Sequence, residues 1–144
     1  IRSTLAPLIP MSYTENPILN ILLTDKNAVM QEKGIHSDIK IDNVELSYIE
    51  PIDITTIFGN LLDNAIEAAA NVDGEKYIFI KISAFHIENS CGNVKWKKRM
   101  PVSDKGKGRG IGLLNVKQSI DKYDGNLQLK QDGNKFVADL FLNS

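Results

Sequence analysis

The sequence predicts an α+β domain, with helices packed on one face of a mixed sheet. Three observations carry this expectation. The predicted order is helix, strand, helix, strand, long loop, helix, strand, strand, and such mixed runs favour a helical layer over a sheet. Each helical segment shows an apolar stripe at helical spacing, whereas the strand segments alternate. Asp132–Gly133 separates two strand-like runs, a strong hairpin signal.

Residues 1–15 contain Pro7 and Pro10 and show no period, which predicts a linker. "NPILNILLTDKNAVMQEKG" (16–34) predicts a complete helix. Asn16 can cap its start, Pro17 suits the first turn and Gly34 the left-handed position after its end. Leu19, Leu22, Leu23 and Met30 form its stripe. A short strand is expected at 36–42. A second helix opens at Pro51 and runs to about residue 70, with Ile54, Ile57, Phe58, Leu61, Ala65 and Ala69 on one arc. "KYIFIKISAFHIE" (76–88) reads as one long strand. Ile78, Ile80, Ile82 and Ala84 face one way, and Tyr77, Phe79 and Phe85 the other. Residues 89–110 read as a long polar loop, and loops of this length are commonly functional or disordered. Helix returns over Gly112–Tyr123, followed by strands "NLQLKQ" and "KFVADLFL".

The bulk properties exclude more than they assign. The chain has 144 residues, enough for one cored domain, with 42% hydrophobic residues and a net charge of −1. That balance gives no reason to expect a nucleic-acid or membrane partner. No run is apolar enough to span a bilayer, and a chain starting at Ile1 is expected to be a fragment. The single cysteine, Cys91, excludes an internal disulfide and suits a reducing compartment. It has no His/Cys cluster for zinc. Charge is concentrated instead: seven of the seventeen Lys/Arg lie between Lys95 and Arg109, against Asp104 alone.

Three constellations carry chemistry. In "GNLLDNAIEAA" (59–69), Asn60, Asn64 and Glu67 form a narrow band beside the buried arc. Asparagine is a poor helix former and costly to bury without partners, and a lone one would simply satisfy local backbone or face solvent. Two amides and a carboxylate on one ridge can hold a hard cation that keeps waters and substrate phosphates, as Mg²⁺ does. In "KGKGRGIGLLNV" (105–116), glycines run into a helix start flanked by Lys105, Lys107 and Arg109. Free backbone N–H groups there form an anion site, or else this is a flexible basic loop. In "HIENSCGN" (86–93) a strand ends in a polar turn, where Asn89 or Glu88 could read a base edge; an ordinary turn explains it equally.

Together these segments resemble the GHKL superfamily of ATP-binding domains, shared by DNA gyrase, the MutL repair protein and histidine kinases. "FGNLLDNAIEAA" resembles the N box, "IENSCGN" a degenerate G1 box and "GRGIGLLNV" the G2 box. Over about residues 13–142 the likeness is nearest to catalytic domains of peptide-quorum-sensing histidine kinases of the agr/Com/VirS type, through "NLLDNAIEAA", "GIGLLNV" and "YTENPILNILLTDK". The resemblance implies a two-layer α/β sandwich of the Bergerat type, with about three helices on one sheet face. It implies a linker at 1–15 and a catalytic ATP-binding domain at 16–144.

By the same resemblance Asn64 is the Mg²⁺-holding residue. Asn60 stands where hydrolytic members carry the glutamate that activates water. Both are therefore the candidate catalytic residues. Asn89 stands where the family has the aspartate that reads the adenine amino group. Lys105, Lys107, Gly108, Arg109, Gly110, Gly112 and Leu113 match the ATP lid and the backbone around the phosphates. Three positions depart from the family pattern. Glu67 stands where many histidine kinases carry a basic residue, Lys135–Phe136 follow the last turn where many relatives carry a threonine, and there is room for one strand where the family usually has two between the N and G1 boxes. The last departure implies either a shortened hairpin or residues missing near Phe85–His86. His36 and His86 are read as structural or surface residues and Trp96 as a lid cover or partner contact.

The implied activity is transfer of the γ-phosphoryl group of Mg-ATP to a histidine on a domain outside these residues. The implied partners are a dimerisation and phosphoacceptor domain of the same protein and a response regulator. The whole protein is expected to be a homodimer, membrane-anchored through a missing N-terminal region, with this domain in the cytoplasm. Alternatives are a serine kinase of the anti-sigma type and a degenerate, non-catalytic partner-binding module.

Overall fold

The computed structural model describes residues 14–41, 45–82, 85–92, 95–97, 100–102 and 111–142. The linker expected at 1–15 falls largely outside them, as does the segment carrying Lys105, Lys107, Gly108, Arg109 and Gly110. The expected α+β class is borne out. Helix α1 spans Pro17–Glu32, strand β1 His36–Lys40, helix α2 Pro51–Ala70, β2 Tyr77–Lys81 and β3 His86–Ser90. A short pair, β4 (Lys95–Lys97) and β5 (Met100–Val102), precedes helix α3 (Ile111–Asp121), and β6 (Asn126–Asp132) and β7 (Lys135–Phe141) close the domain.

The local signals act as expected. Asn16 Oδ1 accepts from the Leu19 amide at 2.9 Å, capping α1. Gly34 takes φ +70° after its end, and the Ile35 amide bonds back to the Met30 carbonyl at 2.9 Å. Asn20 ties down the chain entering α1: its Oδ1 accepts from the Thr14 amide at 2.7 Å and its Nδ2 donates to the Thr14 carbonyl at 2.8 Å. Gly133, at φ +60°, turns β6 into β7.

The sheet order is β1-β2-β3-β7-β6, with β1 and β2 parallel and the other pairs antiparallel. Here the expectation of one strand over 76–88 is corrected. The chain folds back after Lys81, so that Ile80 lies opposite Ile87 and Ile78 opposite Asn89. Phe85 adopts φ +44° and packs its ring 5.4 Å from that of Phe58. The reversal has a sequence signal: Ile87 stands five residues after Ile82, an odd offset that a straight strand would send to the wrong face. The two strands expected between N and G1 boxes are therefore present, without recourse to missing residues. Two further boundaries move. Asn89 and Ser90 belong to β3, not to a turn, and the expected loop of 89–110 contains the β4–β5 pair.

Helices α1, α2 and α3 pack on the sheet face carrying Ile78, Ile80, Ile82, Ile87, Ala138 and Leu140, all buried. Helix α2 is central. Its predicted arc is buried, and so are Leu62 and Ile66 outside that arc, because α1 and α3 cover its flanks. Helix α1 packs over Gly59, with Leu22 Cδ1 3.9 Å from where a Cβ would stand, an ordinary van der Waals contact. One turn further along both helices, Lys26 pairs with Asp63 at 2.6 Å.

Helix α3 runs antiparallel to α2 and is latched to its start. Asp53, 2% exposed, accepts from Tyr123 Oη at 2.5 Å and Lys122 Nζ at 3.0 Å, and Tyr123 Oη in turn accepts from the Glu50 amide at 3.0 Å. The Tyr123 hydroxyl, and secondarily the Lys122 ammonium, hold the Asp53 carboxyl below its ordinary value. A carboxyl depressed by folding contributes stability above its unfolded pKa of about 3.9 and loses it as pH falls through the folded value. Tyr123→Phe removes the donor and leaves a buried acceptor short of a partner. It is expected to cost about 1–3 kcal/mol in urea denaturation at pH 7, with the difference from the unaltered chain shrinking below about pH 4 as the carboxyl protonates. An undiminished difference at pH 3 would contradict this account of the latch.

Candidate functional site

The residues predicted for function lie along one edge of α2. Asn60, Asn64 and Glu67 are half-buried, consistent with a ridge beside the core-facing arc. Asn71 extends the same spacing by a turn, an i, i+4, i+7, i+11 series missed at the sequence level although its period was visible. Asn71 Nδ2 donates to the Glu67 carbonyl at 2.9 Å, which ends the helix with a side-chain cap.

Asn60 is held by two neighbours. Its Nδ2 donates to the Thr56 carbonyl at 2.7 Å, which leaves Oδ1 directed at the start of α3. A Cβ added to Gly112 would stand 3.0 Å from that oxygen and 3.4 Å from its Cγ. A side chain at 112 would therefore press on the Asn60 amide, which would have to give by a few tenths of an ångström for the two helices to keep this approach. Leu113 is 4% exposed and anchors the first turn of α3 in the core. The structure therefore brings the N-box ridge and the G2-box glycine into contact. The first amides of α3, which have no intrahelical acceptor, lie at that junction. Asn64 differs from Asn60: its side chain makes no hydrogen bond to another described residue.

The third constellation is split by the pleat of β3. Asn89 lies on the helix-covered face between Ile78 and Phe136, 1% exposed, and donates from Nδ2 to the Ser90 carbonyl at 2.9 Å. Glu88 lies on the opposite face, 3.2 Å from His86 Nε2 and 3.8 Å from Lys135 Nζ, which removes it as a reader of a base beside α2. His86 is completed by Asp139 Oδ1 at 2.6 Å from Nδ1, and His36 is exposed on the outer strand β1. Of the final pair, Lys135 points to that outer face and Phe136 is buried beside Asn89.

A cavity of about 530 Å³ opens at the end of the ridge, lined by Asn71, Tyr77, Ser90, Cys91, Asn134 and Lys135 among others. Burial pushes the Cys91 thiol up from its ordinary value, so it stays protonated and a poor nucleophile. Among the described residues no three His, Cys, Asp or Glu side chains gather as a metal cage.

These features match a known family. The family model described as the GHKL domain matches residues 49–143, and the chain belongs to that family. It is similar to the virulence sensor histidine kinase PhoQ of Salmonella typhimurium, 28% identical over 127 residues, covering 77% of this chain and 24% of that protein. The sensor protein PhoQ of Escherichia coli K12 is 28% identical over 120 residues, with the same coverage. The chain thus spans about a quarter of the length of the curated relatives it matches. In fold it resembles the catalytic domain of histidine kinase ThkA, with a TM-score of 0.65, 19% identity, and 94% of this chain and 97% of that one covered. The mycobacterial sensor histidine kinase MprB superposes with a TM-score of 0.65 at 14% identity, over 87% of this chain and 92% of that one.

The contact between Gly112 and Asn60 is testable without nucleotide. Gly112→Ala is expected to lower the melting temperature by several degrees, because the new methyl displaces the Asn60 amide. Combining it with Asn60→Ala should recover most of that loss, a non-additivity that independent sites would not give.

Proposed function

We propose that this chain is the ATP-binding catalytic domain of a two-component sensor histidine kinase. The observation that carries the proposal is the ridge of Asn60 and Asn64 set against the glycine start of α3. Membership of the GHKL family and likeness to sensor kinase domains support it.

In this proposal Asn64 Oδ1 would hold Mg²⁺, a hard ion that takes oxygen ligands and usually binds through few protein groups together with substrate phosphates. The bound ion would neutralise charge on the β- and γ-phosphates. The amide of Asn64 is half-buried and makes no hydrogen bond among the described residues, which fits that use. By the family resemblance, the backbone at Gly110, Gly112 and Leu113 would take phosphate oxygens, and Lys105, Lys107, Gly108 and Arg109, which lie outside the described residues, would supply the lid. Asn60 cannot accept a proton from water as a carboxylate would, so the site favours phosphoryl transfer over hydrolysis. The domain needs no nucleophile of its own, because such transfer rests on positioning and charge stabilisation. The acceptor is a histidine on a dimerisation domain joined through a linker at residues 1–15, and a response regulator receives the group afterwards.

The motifs "NLLDNAIEAA", "GIGLLNV" and "YTENPILNILLTDK" support placing the protein in the peptide-quorum-sensing subgroup. We further propose a homodimeric, membrane-anchored whole protein with this domain in the cytoplasm. No helix of the described residues is long and apolar enough to cross a membrane, so the anchor would lie elsewhere.

Calorimetric titration with Mg-ATP and Mg-ADP tests the proposal. Binding is expected below millimolar nucleotide, and none at millimolar concentration would sink it in favour of a partner-binding module. Asn64→Ala should remove most of the Mg²⁺-dependent part of the affinity, about tenfold or more, and Asn89→Ala much less of that part. Equal losses from both variants would withdraw Asn64 as the metal ligand. Phosphotransfer to a separately supplied acceptor helix, with histidine rather than serine modified, separates the histidine kinase from the anti-sigma type.

A further inference from the structure

Helix α2 carries no Lys or Arg, and its charged residues are Asp53, Asp63 and Glu67. Asp53 is turned to α3, where Lys122 stands at 3.0 Å, and Asp63 to α1, where Lys26 stands at 2.6 Å. Glu67 is placed elsewhere. It lies half-buried on the polar ridge, three residues after Asn64. Side chains at that spacing share one helix face, with Cβ atoms about 5–6 Å apart.

The helix brings no positive charge to this part of the ridge. The last turn of α2 has no basic residue, and its carbonyls form the negative end of the helix dipole. Lys76, the first cation after the helix, donates to the Val72 carbonyl. Asn60 and Asn64 are neutral amides. What α2 offers along the ridge is therefore oxygen ligands and one negative charge.

We infer that Glu67 makes nucleotide binding conditional on the divalent metal. The inference rests on the proposed binding of Mg-ATP and specifies which form of the nucleotide the ridge accepts. Phosphates that reach the start of α3, with their metal at Asn64, lie within about one helical turn of position 67. A bare polyphosphate meets the Glu67 carboxylate as like charge in a half-buried setting, where water screens less. With the metal present the contact changes sign. The ion neutralises the phosphates, and its waters can donate to the carboxylate. Asn64 alone would hold the ion without rejecting a nucleotide that lacks one, because an amide is neutral. The two residues thus act on opposite arms of one ratio: Asn64 raises the affinity of the metal-bound nucleotide, and Glu67 lowers that of the metal-free one.

Calorimetric titration of the 144-residue chain with ATP, in excess Mg²⁺ and in EDTA, reads that ratio. Glu67→Gln keeps the shape of the side chain and removes its charge. It is expected to raise the affinity for metal-free ATP about tenfold, and to leave that for Mg-ATP unchanged or lower. Glu67→Asp keeps the charge and should keep the metal dependence; if it loses that dependence as Glu67→Gln does, charge is not the cause and the inference fails. An equal rise for both forms of ATP in Glu67→Gln would mark a general effect on the site and would also overturn it. If Mg-ATP does not bind the unaltered chain at millimolar concentration, the functional proposal falls and this inference with it. Binding of Mg-ATP with a ratio that Glu67→Gln does not move removes the role of Glu67 alone.

Discussion

Helix α2 must be buried on three sides and still keep a polar ridge open, and most of the structure follows from that requirement. The sheet takes one side through Ile78, Ile80 and Ile87, α1 takes a second and α3 a third. A helix so enclosed has little surface left for polar residues, so Asn60, Asn64, Glu67 and Asn71 share a single line. Burial of the surrounding apolar residues holds that line in place, at roughly 1.5–3 kcal/mol for each large side chain removed from water. The ridge is thus precise because its neighbours are packed, not because its own hydrogen bonds are strong.

Helix α3 is the second partner in this arrangement, and it is fixed at both ends by different means. At its C-terminal end the contact is polar and buried: Asp53, Lys122 and Tyr123 tie it to the first turn of α2. At its N-terminal end the contact is steric, a glycine against the Asn60 amide. The polar end sets where α3 lies along α2, and the glycine end sets how near its free amides come to the ridge. A binding site for phosphates needs both, since backbone donors act only at short range. That the two ends depend on residues some seventy and fifty positions apart in the chain is why neither contact follows from local sequence.

The sheet divides the remaining polar residues by parity. His86, Glu88, Lys135 and Asp139 fall on the outer face and pair among themselves, whereas Asn89 falls on the helix-covered face. Sequence adjacency of Glu88 and Asn89 made them equal candidates for reading a base; the pleat separates them by sending successive side chains to opposite sides. The same parity rule exposes the error over residues 76–88. Ile78, Ile80 and Ile82 fit one straight strand, and only Ile87 breaks the count, because a hairpin has reversed the direction between them.

The sequence by itself determined the class of fold, the extents of α1, α2 and α3 to within a few residues, the β6–β7 hairpin and the ridge on α2. These depend on periodicity, caps and turn residues, which act over a few positions and are written locally. It also placed Asn60, Asn64 and Gly112 as residues of interest through their spacing. Only the tertiary structure decided that Gly112 rests on Asn60, that Asp53 is buried between a lysine and a tyrosine, and that β2 and β3 are two strands. It alone decided that the Asn89 amide has one orientation, since that follows from the carbonyl oxygen the ladder sets beside it. Each of these depends on which atoms are brought together across the chain, and periodicity carries no record of such contacts.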